Sequence, residues 1–214
     1  MQKKFIQAPR TARYYLIGNT KNPDNVWLCM HGYGQQAKYF AAKTKALDNG
    51  KNLIIVVEAM NRFYLSGYNG RVGATWMTSD DREVDIVDNH RYLDLLLQTI
   101  ISDYSLKNCP FNLLAFSQGI ATACRWLVST EFKFQQIILW AGSIPTDIDW
   151  ESEVEKFNKM KVHYNDEQLL VANDDYLTKV ELHLVEGQEY QFIFRAKDVI
   201  HSAYMPHFRA QMNV

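Results

Sequence analysis

Short apolar runs alternate along the chain with longer segments in which apolar residues recur at helical spacing. Most of the short runs have apolar residues at consecutive positions, which is typical of strands buried on both faces. The predicted strands are residues 14–17, 26–30, 53–57, 111–116, 137–140, 169–172 and 190–194. This alternation predicts an α/β protein with a mostly parallel central sheet and helices on both faces.

The segment with the clearest helical period is 81–105. Its apolar stripe contains Ile86, Leu93, Leu97 and Ile100, and its acidic residues lie at the start, where the helix dipole favours negative charge. The other predicted helices are residues 35–47, 118–129, 176–185 and 202–212. The polar stretch 145–160 is predicted to be an excursion at the surface.

Composition narrows the possible classes of protein. With 214 residues, 47% of them hydrophobic, the chain has the size and composition of one ordinary globular domain, so we expect residues 1–214 to form a single domain. The formal net charge is -1, so the protein has no overall positive potential to attract a polyanion, which argues against a nucleic-acid partner. No stretch is apolar enough to be an integral membrane segment or a secretory signal. The sequence does not predict an oligomeric state.

The number and spacing of the cysteines indicate the cellular compartment of the protein. Cys29, Cys109 and Cys124 are odd in number and lack CxxC spacing. Such a set does not indicate a disulfide framework, so we expect a cytoplasmic protein.

The first chemical motif is Ala115-Phe116-Ser117-Gln118-Gly119. It follows a predicted strand and opens a predicted helix, which is the context of a nucleophile elbow. Small residues two before and two after the serine allow the strand and the helix to approach each other, and Ala115 stands where a glycine is usual. The motif predicts a nucleophilic Ser117 in a sharp turn with positive φ.

A second motif, His31-Gly32-Tyr33-Gly34, follows the predicted strand 26–30. Glycines in such a turn let a backbone N–H point at a developing oxyanion. We therefore predict that the backbone N–H groups of Tyr33 and Gln118 form an oxyanion hole. His31 is expected to be a buried residue that braces this loop and not the catalytic base.

These two motifs resemble those of the phospholipase/carboxylesterase family of α/β-hydrolases, which includes the acyl-protein thioesterases. Residues 11–15, 62–65, 70–77 and 139–142 resemble a bacterial esterase-like branch of that family. The resemblance covers nearly the whole chain and is loose after about residue 149. It implies the α/β-hydrolase fold and a serine esterase with no metal and no organic cofactor, acting on a small acyl ester or thioester.

The resemblance also implies an acid in the stretch 173–177. In the family, the acid and the aliphatic residue behind it are separated by two residues, which favours Asp174 with Leu177 behind it. Asp175 is the alternative. Adjacent Asn and Asp residues also form turns and helix caps, and such a role is compatible with catalysis.

The chain order of α/β-hydrolases places the catalytic histidine near the C-terminus, after the acid. His201 occupies this region, although the Gly-x-His turn usual in the family is replaced by residues 195–200. His207 is the alternative. We expect His90, His163 and His183 to be structural, with His90 a hydrogen-bonded residue on a helix face.

The loop aromatic residues are a further candidate. Tyr64, Trp76 and Met77 could line an acyl pocket, although aromatic residues in loops more often simply pack. Zinc spacing, a P-loop and a GxGxxG motif are all absent from the sequence. The sequence thus predicts a serine carboxylesterase or acyl hydrolase, and the departures at Ala115 and at the histidine turn leave a catalytically silent binding protein as the alternative.

Overall fold

A computed structural model describes residues 1–157, 161–165, 202–205 and 210–213. In chain order its elements are β1 Tyr14–Gly18, β2 Asn25–Met30, α1 Ala37–Phe40, a 3-10 helix Ala41–Leu47, β3 Asn52–Val57, β4 Asn61–Tyr64, β5 Val72–Thr75, α2 Arg82–Asp103, β6 Phe111–Phe116, α3 Gln118–Ser129, β7 Gln136–Trp140, α4 Trp150–Phe157, β8 Lys161–Asn165, β9 Ser202–Met205 and β10 Ala210–Asn213.

The central sheet has the strand order β1-β3-β2-β6-β7-β8. Strand β1 is antiparallel to β3, and every other pair in this sheet is parallel. The predicted mostly parallel sheet is therefore confirmed. Its consecutive apolar residues are explained by burial on both faces, because β3 is buried at each of its positions.

Two apolar clusters lie on opposite faces of the sheet. Alternate residues of β2, such as Leu28 and Met30, pack with helices α2 and α3 on one face. Trp27 and Cys29 point to the other face, where Phe40 of α1 covers them. Helices thus lie on both faces, as the sequence predicts.

The long helix α2 buries the predicted stripe. Ile86, Leu93, Leu97 and Ile100 are all buried, and they pack on the sheet beside α3. The opposite side of α2 is exposed and carries both polar residues and the apolar residues Val84, Val87 and Leu95. None of the described helices is long and apolar enough to cross a membrane.

The C-terminal helix predicted at 202–212 is wrong for the described residues of that range. Residues Ser202–Met205 and Ala210–Asn213 form two antiparallel strands instead. Pro206 follows the first strand directly, and a proline disfavours helical dihedrals in the residue before it and removes a helical N–H. This local constraint outweighs the apolar spacing on which the prediction depended.

The helix predicted at 35–47 begins later and is less regular than expected. Gln35 forms a β-bridge with Ala74, and Gln36 is extended, so α1 starts only at Ala37. After one turn of α-helix the chain continues as a 3-10 helix. The Thr44 hydroxyl donates to the carbonyl of Ala41, at a distance of 2.9 Å, and so competes for a helical acceptor.

Further elements were missed from sequence. Residues 62–65, expected to be loop, belong mostly to β4, which forms an antiparallel hairpin with β5. The polar stretch 145–160 contains helix α4, and β8 extends the central sheet beside β7. The predicted elements 169–172, 176–185 and 190–194 lie outside the described residues.

Candidate active site

The candidate site lies at the carboxyl edge of the parallel strands. Strand β2 ends at Met30 and is followed by the His31 loop, β6 ends at Phe116 and is followed by Ser117, and β7 ends at Trp140. Because β2, β6 and β7 are neighbouring parallel strands, their following loops meet at one edge, where ligands bind in open α/β sheets.

Ser117 occupies the turn between β6 and α3 with φ 52° and ψ −120°. Positive φ is strained for a residue with a side chain, and such strain is concentrated at functional sites. The prediction of a sharp turn with positive φ is confirmed. The backbone N–H of Ser117 donates to the carbonyl of Trp140 at 3.0 Å, which ties the turn to the end of β7.

Two glycines allow other backbone segments to reach this turn. A Cβ on Gly119 would lie 2.8 Å from the carbonyl oxygen of His31, so a side chain there would push the helix away from β2. A Cβ on Gly142 would lie 2.5 Å from the carbonyl oxygen of Ser117 and 2.7 Å from its Cα. Both distances are too short for a Cβ contact, so the elbow is enclosed on two sides by backbone.

The loop 31–35 lies directly against Ser117, since a Cβ on Gly32 would be 2.9 Å from the Ser117 Cβ. Most of its N–H groups are used: Gly32 donates to Gln35 Oε1 at 3.0 Å, Gly34 to the Ala74 carbonyl at 2.9 Å, and Gln35 to the Gly32 carbonyl at 3.3 Å. In the part of the chain that the structure describes, the N–H of Tyr33 has no acceptor.

The N–H of Gln118 is the second candidate donor. Gln118 is the first residue of α3, and the N–H groups of a first helical turn have no intrahelical acceptor. The positive end of the helix dipole also favours negative charge at this position. The two candidate donors therefore flank Ser117 from the loop and from the helix.

His31 is fully buried and braces the loop, as the sequence predicts. Its Nε2 accepts from the Ala59 N–H at 3.0 Å, so the ring proton is on Nδ1, which donates to the Gly32 carbonyl at 2.7 Å. Burial lowers the pKa of the His31 imidazole, and the hydrogen bond to Gly32 opposes that shift in part. A neutral ring with both nitrogens engaged is a structural support and not a base.

Trp76 is misassigned as a pocket residue, because its side chain is fully buried. Its indole N–H donates to the His31 carbonyl at 2.8 Å, and its ring lies 5.3 Å from the His31 ring. Trp76 therefore supports the loop 31–35. Tyr64 is half exposed on the β4–β5 hairpin and Met77 is partly exposed, so both stay candidate pocket residues.

The side chain of Gln118 connects α3 to the end of β5. Its Nε2 donates to Thr75 Oγ1 and to the Met77 carbonyl, each at 2.9 Å. Its Oε1 accepts from the Trp76 N–H at 3.1 Å. The Thr75 hydroxyl has one proton, which goes to the Met77 carbonyl at 2.8 Å, so every polar group of this network has a partner.

Three ion pairs, centred on two carboxylates, connect neighbouring segments. Arg125 of α3 makes a bidentate contact with Asp147, at 2.7 and 3.1 Å, and Arg82 of α2 joins the same carboxylate at 2.7 Å. The hydrogen bond from Arg125 lowers the pKa of Asp147. Glu58, 1% exposed in its side chain, pairs with Arg13 and accepts the N–H of Ala37 at 3.1 Å.

Sequence reasoning missed the functions of Gly142, Glu58 and the Gln118 side chain. Glu58 could have been noticed as a carboxylate that directly follows an apolar strand. The positions of Gly142 and of the Gln118 partners have no local signal, because they depend on contacts between distant segments.

The remaining candidates have mixed outcomes. Asp174, Asp175, His201 and His207 lie outside the described residues, as does His183, and for His163 only its place in β8 is described. The Nδ1 of His90 lies 2.9 Å from the Ser129 hydroxyl, but its Nε2 is buried without a partner among the described residues, which corrects the expectation of a fully hydrogen-bonded ring. Burial lowers the pKa of His90.

No protein-family model matches this sequence, and no curated protein sequence does. Solved structures do. A carboxylesterase from Bacillus cereus matches with a TM-score of 0.52 and 14% identity, covering 79% of this chain and 89% of that chain. A carboxylesterase from Mesorhizobium loti matches with a TM-score of 0.55 and 10% identity, covering 72% and 84% of the two chains.

An acyl-protein thioesterase 2 from Zea mays also matches, with a TM-score of 0.53 and 13% identity, covering 72% of this chain and 75% of that chain. Similarity at such low identity concerns the fold. Together with the mostly parallel sheet and its helices, it shows that this chain has the α/β-hydrolase fold.

Proposed function

We propose that this protein is a serine hydrolase that cleaves a carboxylic ester or a thioester through an acyl-enzyme intermediate. The observation that carries the proposal is the strained Ser117, φ 52°, at the start of α3 and in direct contact with a loop whose Tyr33 N–H is free among the described residues. The α/β-hydrolase fold of the solved esterases supports the same chemistry at a general level.

In the proposed reaction the Ser117 hydroxyl attacks the acyl carbonyl carbon while His201 accepts its proton, and Asp174 orients the imidazolium. The N–H groups of Tyr33 and Gln118 converge on the oxyanion of the tetrahedral intermediate. The intermediate collapses, and the alcohol or thiol leaves with the proton from His201. Water, deprotonated by His201, then hydrolyses the acyl-enzyme and regenerates Ser117.

The first experiment is labelling with a fluorescent fluorophosphonate. We expect the wild-type protein to be labelled and Ser117→Ala to be unlabelled. Ser105→Ala is the matched control, because Ser105 is an exposed serine that also has a positive φ, 56°, and it lies outside the site. Folded wild-type protein that is never labelled would contradict the proposal and favour a silent binding protein.

The second experiment assigns the base and the acid. We expect His201→Ala to lower kcat on a p-nitrophenyl ester by at least about a thousandfold, and the control His207→Ala to keep most activity. Asp174→Asn and Asp175→Asn form a second pair, in which we expect the larger loss from Asp174→Asn. A larger loss from Asp175→Asn would move the acid by one residue and leave the serine mechanism intact.

The substrate class is tested with p-nitrophenyl esters of increasing acyl length and with matched thioesters. We propose a small-molecule acyl substrate, because Tyr64 and Met77 offer accessible apolar surface and the Met77 carbonyl accepts a hydrogen bond from the Gln118 side chain next to Ser117. Equal kcat/KM at every chain length would contradict an acyl pocket at these residues. We also propose a cytoplasmic location, supported by three cysteines that are all free thiols.

A further inference from the structure

The segment Ala74–Met77 contacts both halves of the candidate oxyanion hole. On one side, Ala74 accepts the N–H of Gly34 at 2.9 Å and donates to the Gln35 carbonyl at 3.0 Å. On the other side, the Gln118 side chain holds Thr75, Trp76 and Met77 by hydrogen bonds of 2.9 to 3.1 Å. The loop 31–35 and the N-terminus of α3 are thus joined through one short piece of chain.

We propose that the Gln118 side chain is a positioning residue that sets the distance between the two oxyanion donors. The backbone N–H of Gln118 is one of those donors. The side-chain amide of Gln118 fixes the segment Ala74–Met77, and Ala74 is hydrogen-bonded to the loop that contains the other donor, the N–H of Tyr33. The inference rests on the proposed function, since the donors have a catalytic meaning only in a hydrolase.

The chemistry of the network requires an amide at this position. Oε1 accepts from the Trp76 N–H while Nε2 donates to the Met77 carbonyl, so the partner groups need one acceptor and one donor side by side. A glutamate of the same shape has no donor and would direct an oxygen at the Met77 carbonyl. Two oxygens with no proton between them repel each other, so Gln118→Glu would displace the segment even though the Met77 carbonyl keeps the Thr75 hydroxyl as a donor.

The segment is also fixed from other directions, which makes it a stiff connection. Asn89 of α2 donates to the Trp76 carbonyl at 2.6 Å, and the Trp76 indole donates to the His31 carbonyl at 2.8 Å. A Cβ on Gly73 would lie 2.5 Å from the Gly34 carbonyl oxygen, so β5 and the loop are in backbone contact. A displacement at Thr75–Met77 is therefore passed to Gly34 and Tyr33.

The kinetic test compares Gln118→Ala and Gln118→Glu with Thr75→Val, which has the same shape as threonine but lacks the hydroxyl, and with Thr75→Ser, which keeps it. Oxyanion stabilisation acts in the transition state, so we expect kcat to fall by about tenfold or more while KM changes by less than about twofold. Thr75→Val should show the same pattern, and Thr75→Ser should restore most of kcat. A change confined to KM, or equal losses in Thr75→Val and Thr75→Ser, would overturn the inference.

Amide hydrogen exchange tests the connection without any need for activity. We expect Gln118→Ala to speed exchange at the N–H of Trp76, which loses its acceptor. We also expect faster exchange at the N–H of Gly34, whose acceptor, the Ala74 carbonyl, belongs to the displaced segment. Gln98→Ala, at an exposed glutamine of α2, is the matched control and should change neither.

Exchange that rises at Trp76 but stays at the wild-type rate at Gly34 would overturn the inference, because the segment would then not connect the two sides. Absence of labelling by the fluorophosphonate in wild-type protein would instead contradict the proposed function. The two failures are distinguishable, since exchange at Gly34 is measured on the folded protein whether or not it hydrolyses esters.

Discussion

Replacing Gly142 with alanine tests how closely the segment after β7 holds the nucleophile turn. The new Cβ would lie 2.5 Å from the carbonyl oxygen of Ser117. This is about 1 Å short of ordinary contact, and the atoms that would have to move are backbone atoms of the reactive residue. A displacement of about 1 Å at a reacting group costs on the order of a hundredfold in rate, so we expect kcat/KM to fall by about that factor. Overpacking should also lower the free energy of unfolding by about 1–3 kcal/mol.

The assay measures kcat/KM on a p-nitrophenyl ester, the rate of fluorophosphonate labelling and the free energy of unfolding in urea. The matched control is Gly50→Ala. Gly50 has a φ of 76° and open space around its Cβ position, so an alanine there is strained but meets no neighbour. We expect this control to lose about 1–2 kcal/mol of stability and to keep wild-type activity.

The comparison of the two variants separates a loss of activity caused by lower stability from one caused by displacement of the Ser117 backbone. If Gly142→Ala had wild-type kcat/KM and a wild-type labelling rate, the turn at Ser117 would tolerate a shift of its backbone, and the reasoning from close contact would be refuted. If Gly50→Ala lost as much activity as Gly142→Ala, the loss would reflect stability alone.

Three other predictions follow from the described contacts. The pKa of His90 is lowered by burial, so the unfolded chain binds more protons, and stability is lost as pH falls below about 6.5, by up to about 1.4 kcal/mol per pH unit; urea unfolding from pH 8 to 5.5 should show a weaker dependence in His90→Gln. Arg125→Ala, which breaks the bidentate pair with Asp147, should cost about 1–3 kcal/mol of unfolding free energy, whereas Arg91→Ala, at an exposed pair, should cost less than about 0.5 kcal/mol. Cys109 alone should react with a thiol reagent in the folded protein, because the other two cysteines are buried, and rapid reaction of all three would contradict this.

Local sequence patterns were sufficient to predict the turn at Ser117 and the strand and helix on either side of it. The strand predicted at 111–116 and the helix predicted at 118–129 have those bounds in the structure, and Ser117 between them has positive φ. The reason is that a buried strand, a tight turn flanked by Ala115 and Gly119, and an amphipathic helix are each specified by neighbouring residues. The order of the His31 loop and the elbow, and the mostly parallel sheet, follow from the same alternation of elements.

Local patterns misled where a single residue or a distant partner decided the outcome. Pro206 made the apolar spacing at 202–212 a poor guide, and the bridge between Gln35 and Ala74 delayed the first helix. Trp76 is the type of residue that lines pockets, but in the fold its side chain is fully buried and donates a hydrogen bond to the His31 carbonyl.

The sequence alone determined that a strained serine follows a buried strand and that a glycine-containing loop follows another. Only the tertiary structure decided what surrounds the serine: Gly142 against its backbone, and the Gln118 amide holding Thr75 across a separation of 43 residues. Such contacts have no period and no neighbouring signal, because they are set by strand order and by the close packing of segments that meet only in the folded chain.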